Sequence, residues 1–179
     1  MTRMLSRFDR GDIEALVTLG RFSDPAHAAY LGEVLEQRLR RIVARYFSRL
    51  SPLADARLEG DRLCLLDLAR RRALRPPAGF RYRALAGRAT GLRELAPEVR
   101  AGGEVCLALP HAAPDDGAAP GDPSRYVVVG VDNGQSRYAL AVHLYDLGPR
   151  GGFRLVALQR PEATLADAVA KGLALAAHD

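Results

Sequence analysis

Residues 23–52 read SDPAHAAYLGEVLEQRLRRIVARYFSRLSP, and the fold turns on them. Ser23-Asp24-Pro25 is a capping pair followed by proline at the first helical position, where a missing N–H costs nothing. From there to Leu50 the chain has no further proline and one glycine, Gly32. Leu31, Val34, Leu35, Leu39, Ile42, Val43, Tyr46 or Phe47, and Leu50 recur at helical spacing and make one apolar stripe. Glu33, Glu36, Gln37, Arg40, Arg41, Arg45 and Arg49 lie off it, and Glu36 to Arg40 has the favourable polarity for an i,i+4 pair. The spacing predicts a helix of about 26 residues, roughly 39 Å at the usual rise. Ser51-Pro52 ends it, because the residue before a proline avoids the α region.

Upstream, Asp9 is a good N-cap with Asp12 three positions on, where an acid suits the helix dipole. Ile13, Leu16, Val17 and Leu19 follow at helical spacing, and Gly20 supplies a stop. The link between the two helices is short, so the first 52 residues read as an antiparallel helical hairpin.

Downstream of Pro52 the period changes from helical to alternating. RLEGDRLCLLDL reads as two short strands about a Gly60-Asp61 turn, RRRALRPP as a basic link, and FRYRAL as a strand. Residues 86–103 are ambiguous, with one helical turn in LRELAPEV stopped at Pro97, and EVCLAL is another strand. A Pro/Gly/Asp-rich loop over 110–124 is expected to be mobile. RYVVVGV, RYALAVHLYDL and GFRLVALQR, joined by turn-rich links, form an antiparallel meander. Alternation in the middle strand places Leu140, Val142 and Leu144 on one face, and Ala139, Ala141, His143 and Tyr145 on the other. Thr164, with Asp167 at the box position, caps a last helix. Helices first and strands afterwards is the pattern of an α+β fold. The expected architecture is a single domain: a hairpin (1–52) packed on a mostly antiparallel sheet or sandwich of six to seven strands (53–160), then a short C-terminal helix (161–179).

The run RFDRGDIEALVTLGRFSDPAHAAYLGEVLEQRLRRI resembles the C-terminal region of larger uncharacterised bacterial proteins. There a helix precedes a Gly-aromatic-Ser-Asp-Pro turn, a long basic helix and a β part. The matching residues here are Gly20, Phe22, Ser23, Asp24 and Pro25, with Leu155 to Arg160 near the end. An Arg-Arg-Asp run expected in the long helix is Gln37-Arg38-Leu39-Arg40-Arg41 in this chain. The resemblance covers about the first 55 residues and the last 35. It implies the architecture above and an accessory domain or stand-alone relative, and it brings no catalytic residues. A second likeness lies in VVVGVDNGQSRYALAVHL, which is similar to the opening hairpin of RNase H-like nucleases and actin-like ATPases. It would make Asp132 a metal-binding carboxylate, with Gly130 and Gly134 shaping the turn. Two-metal chemistry needs several converging carboxylates. Beyond Asp132 only Asp146, Glu162, Asp167 and Asp179 are acidic, and too little chain is left for the remaining strands of that fold.

Composition narrows function mainly by exclusion. The net charge is +5, which suits an anionic partner. Yet of 26 basic residues only Lys171 is lysine, so much of the arginine reads as compositional drift over solvated surface. Two groups stand out as candidate anion sites: Arg40, Arg41 and Arg45 on the long helix, and Arg70, Arg71, Arg72 and Arg75 in the basic link. No apolar run reaches membrane-span length. The N-terminus reads as no signal peptide, so the cytoplasm is the default compartment. Cys64 and Cys106 read as buried reduced thiols, with a strand-to-strand disulfide open to an exported chain. None of His27, His111, His143 and His178 stands in a metal-ligand motif, and no cofactor motif is present. His143 is the one histidine with a chemical reading, and Cys106 with His111 the one nucleophile pair to weigh. These observations favour a non-catalytic protein-interaction or accessory domain. A nucleic-acid or polyanion binder comes second and a hydrolytic enzyme third. A protein partner is expected, nucleic acid or a second copy being the alternatives.

Overall fold

The computed structural model describes residues 2–112 and 122–176. The chain is α+β: helices α1 (Thr2–Leu5), α2 (Arg10–Leu19) and α3 (Pro25–Phe47) come first, and β1 (Leu53–Glu59) and β2 (Arg62–Asp67) follow. Helix α4 (Leu68–Arg71), β3 (Arg83–Arg88), β4 (Gly91–Leu95), β5 (Pro97–Val99) and β6 (Glu104–Ala108) come next. The chain closes with β7 (Tyr126–Asp132), β8 (Leu140–Asp146), β9 (Phe153–Gln159) and α5 (Leu165–Ala176).

The helix starts follow their capping chemistry. Asp9 accepts from the Asp12 N–H while Asp12 accepts from the Asp9 N–H, a reciprocal box. Asp24 accepts from Ala26 N–H, with Pro25 at the first helical position. The long helix ends at Phe47, short of Ser51-Pro52. Tyr46 O there accepts from both Arg49 and Leu50 N–H in a closing turn.

The strands form two antiparallel sheets, ordered β1-β2-β6-β5 and β4-β3-β7-β8-β9. Among the described residues nine strands replace the six or seven expected. The additions are β4 and β5, which occupy the LRELAPEV segment assigned a helical turn. The residues of β4 are exposed except Leu95, so no apolar alternation marks it. Pro97 opens β5, a position where a missing donor is tolerated. Ala96 alone separates the two, so the chain passes from one sheet to the other there. Two further corrections are local. The FRYRAL strand begins only at Arg83, because Pro77–Gly79 turns and carries Phe80 into the helical cluster. The basic link RRRALRPP opens with α4, whose N-cap is Asp67. Residues 113–121 of the expected loop lie outside the described residues.

The main core lies between the sheets, where Leu63, Leu65 and Leu107 of one meet Val127, Val129, Val131, Leu140, Val142 and Leu144 of the other. The alternation predicted for β8 is the observed one: its other face, with Ala139 and Ala141, packs under α5. That helix sits close because glycines floor its seat. A Cβ on Gly130 would lie 2.7 Å from Val169 Cγ2, and one on Gly87 2.3 Å from Val169 Cγ1. A third cluster joins the end of α3 (Val43, Phe47) to Ala54, Leu68, Ala69 and Phe80, and this is how the helical hairpin is packed on the sheet. The buried Asp67 carboxylate gathers the junction, accepting from Ala69 and Arg70 N–H, Tyr82 Oη and Asn133 Nδ2.

The outer face of the first sheet carries the correction to the thiol reading. Cys64 and Cys106 lie directly opposite on β2 and β6 and are joined by a disulfide. Both are fully buried. Their cover is a lattice of charge: Arg100 reaches Glu59, Glu98 and Glu104 at 3.1, 2.9 and 3.2 Å, Arg57 bridges Glu59 and Glu104, and Arg62 pairs with Glu98.

Candidate functional site

The seven arginines separate into two settings. Arg40, Arg41 and Arg45 stand exposed on α3 and make no ion pair with any described residue. The second group is tied down more closely. Arg70 lies 5.9 Å from the Phe80 ring centroid. Arg72 donates to the carbonyls of Ser6 and Phe8, strapping the N-terminal segment to α4. Arg71 and Arg72 line a cleft of about 660 Å³ with Ser6, Arg7, Asp9, Arg10 and Asp55. Arg75 lines a separate groove with Ala44 and Phe47 of α3 and with Ser48, which caps that helix. The tight Arg70–Arg72 run is therefore only partly an anion-facing surface.

His143 and Asp132 are not brought together. His143 pairs in register with Val128, four residues from Asp132 along β7. The imidazole is buried under α5, with Nδ1 2.9 Å from Tyr126 Oη and Nε2 3.3 Å from Gln159 Oε1. Burial pushes its pKa below the ordinary histidine value, against a smaller upward pull from Gln159. Asp132 pairs with Arg83 at 2.7 Å and accepts from Gly134 N–H at 2.8 Å, which makes it the first residue of a turn. Among the described residues, the group of three metal-ligand-type side chains within 4.8 Å is Glu59, Cys64 and Cys106, and its two sulfurs are bonded to each other. The same bond removes Cys106 as a nucleophile for His111.

One polar centre escaped sequence reasoning altogether. The fully buried Asp146 carboxylate at the end of β8 accepts from Arg88 Nη2, Ala112 N–H and Gly148 N–H at 2.7, 2.8 and 2.9 Å, and lies 2.7 Å from His111 Nδ1. Burial alone would raise its pKa. The bonds from His111, the two backbone amides and Arg88 overcome that and hold it at about 2. His111 in turn stacks on Phe153 with centroids 4.6 Å apart. Residues 35 and 58 positions apart meet here, and nothing local in the sequence signals such a meeting. The centre fastens Pro110–Ala112 across the end of the sandwich.

The feature most exposed to other molecules is the hairpin. On α2 only Ile13 and Val17 are buried, and on α3 only Val43 and Phe47. Leu19 is 78% exposed, Leu16 56%, Tyr46 49%, Ile42 42% and Leu35 37%. A groove of about 270 Å³ runs between the two helices, with Ile13, Val17 and Ala28 in its lining and Arg10, Glu14, Glu33 and Glu36 among its charged residues. A second side lies one position back, about 100° round, from the line Ile13 and Val17 on α2 and Gly32, Glu36, Leu39, Val43 and Phe47 on α3. It presents Asp12 and Leu16 of α2, with Leu31, Leu35, Arg38, Ile42 and Tyr46 of α3.

Comparison with protein-family models, curated proteins and solved structures finds no match to this chain. No helix among the described residues is long and apolar enough to cross a membrane.

Proposed function

We propose that the chain is a non-catalytic protein-interaction or accessory domain whose docking element is the α2–α3 hairpin. The observation that carries the reading is the apolar side of that hairpin, anchored at its foot and left open along its length. Scattered exposed leucines are ordinary, but Leu35, Ile42 and Tyr46, exposed at helical spacing on one helix, are what an interface uses. His143 lies beneath α5 and the Cys106 sulfur is bonded to Cys64, so neither faces solvent as a reacting group. The resemblance of the hairpin sequence to part of larger bacterial proteins agrees with an accessory role.

The test is capture by the wild-type chain and by Leu35→Asp, each washed in high salt. A protein held stoichiometrically by wild type and lost with the variant is the expected result. Equal capture by both would overturn the assignment of the hairpin.

Polyanion binding is the second reading, favoured by Arg40, Arg41 and Arg45, which have no ion pair among the described residues, and by the cleft that Arg7, Arg10, Arg71 and Arg72 share with Asp9 and Asp55. It predicts oligonucleotide affinity falling steeply with salt. Affinity indifferent to salt, or unchanged in Arg41→Glu/Arg71→Glu, would remove it.

A further inference from the structure

We infer that Cys64, Cys106 and Glu59 are ligands for a thiophilic divalent cation, Zn²⁺, which the chain takes up when a dithiol reductant opens the disulfide.

The sheet, and not the bond, brings the ligands together. Cys64 faces Cys106 in the middle of the unbroken β2–β6 register, Arg57 of β1 faces Cys64, and Glu98 of β5 faces Cys106. These pairings hold the two side chains opposite each other on the outer face whether the sulfurs are joined or free. Facing Cβ atoms of an antiparallel pair lie about 4.5–5.5 Å apart. A tetrahedral Zn²⁺ at about 2.3 Å from each sulfur needs the sulfurs roughly 3.8 Å apart, which lies within the reach of cysteines so placed. Glu59 supplies the third ligand: one of its carboxylate oxygens and both sulfurs lie within 4.8 Å of one another. A water fills the fourth position, as in sites with three protein ligands.

A positive charge already stands beside the group. Arg100 Nη1 lies 3.9 Å from Cys64 Sγ, 3.1 Å from Glu59 Oε2 and 3.2 Å from Glu104 Oε2. A neighbouring guanidinium favours the thiolate, which is the form that binds metal. Glu59 can turn to the metal without stranding its partners, because Arg100 keeps Glu98 and Glu104, and Arg57 keeps Glu104. Three arginines and three glutamates make the lattice neutral, and Zn²⁺ with two thiolates adds no net charge to it. Two sulfurs among three ligands select Zn²⁺ over Mg²⁺ or Ca²⁺. The chemistry balances. The dithiol gives two electrons and two protons, the Cys64–Cys106 bond breaks, and the reductant closes into a cyclic disulfide. The two thiols formed release both protons when the metal binds.

The test reduces the chain with a phosphine, removes the phosphine without air, and titrates with Co²⁺ and then Zn²⁺. Reduced wild type is expected to bind a single Co²⁺ with the near-ultraviolet absorption of cobalt–thiolate bonds, and Zn²⁺ should displace it where excess Mg²⁺ does not. The oxidised chain should give no such absorption. Cys106→Ser should weaken binding by more than about a hundredfold and Glu59→Gln by at least about tenfold. Glu98→Gln, which removes another acid of the same lattice, should stay within about threefold. Circular dichroism of the reduced, metal-free chain is read alongside, and where reduction has loosened the fold, Zn²⁺ should restore the native spectrum. Four results overturn the inference. These are no cobalt–thiolate absorption in the reduced chain, equal uptake by the oxidised chain, equal losses in Glu59→Gln and Glu98→Gln, and a fold lost on reduction that Zn²⁺ does not restore.

Discussion

Asp146 and His143 are both buried polar residues of β8 with lowered pKa values, one held charged by its partners and the other held neutral by burial, so each costs stability as pH falls. Asp146 is held at about 2 in the folded chain, below its unfolded value. Its contribution is thus complete above pH 4 or so and is lost as pH falls toward 2. Asp146→Asn leaves Arg88 without its carboxylate and His111 with Asp61 alone, and should cost about 3 kcal/mol in denaturant unfolding at neutral pH. A cost below about 1 kcal/mol would mean the centre is not structural. For His143 the folded pKa is depressed, so the unfolded chain binds the proton more readily. Stability should fall as pH drops below about 6.5. In His143→Gln that slope should flatten, and an unchanged slope would place the effect elsewhere. Of these two only His143 was legible in the sequence, as an odd polar residue within an alternating strand. Asp146 closed a strand like any turn residue, because its partners come from β3 and the segment after β6.

At the scale of elements, what could be read was whatever carries its own signal. The Asp9 box, the Asp24-Pro25 start and the three-strand meander are local chemistry, and each stands where the spacing put it. The exposed edge strand β4 gives no alternation to detect, and β5 exists only because β6 offers it a partner. The stripe on α3 was visible, but not that the sheets cover only its foot. Burial depends on what sits opposite, and the sandwich meets the helix only near Val43 and Phe47. Hydrogen exchange should show this as a gradient, with amides of α2 and the first half of α3 opening far more readily than those around Val43. Uniform protection along α3 in dilute monomer would contradict the uncovered arm. The opposite regime holds for α5. A Cβ on Gly172 would lie 2.8 Å from Val128 Cγ1, so Gly172→Val should lift the helix and cost about 1–3 kcal/mol by overpacking. A neutral result would mean that α5 docks loosely.

For the whole molecule, the two sheets are joined by more than their shared core. Asp67 ties the end of β2 to Asn133 beyond β7, and Arg160 donates to the Leu53 carbonyl. The Cys64–Cys106 bond belongs to the same scale. Reading each cysteine in its own strand gave buried thiols, and only the β2–β6 register makes them partners. Such a bond persists where the surroundings are oxidising. Denaturation in an alkylating agent without reductant should therefore leave both cysteines unlabelled, and labelling of either would show the thiols free. The bond also divides the chain under load. Pulled from its two ends, the polypeptide transmits tension across the sulfurs and bypasses the segment between them, a sequence separation of 42. Once the flanking strands have parted, β3, β4 and β5 feel no force. The fully extended oxidised chain should stop about 150 Å short of the reduced one, at roughly 3.6 Å per residue.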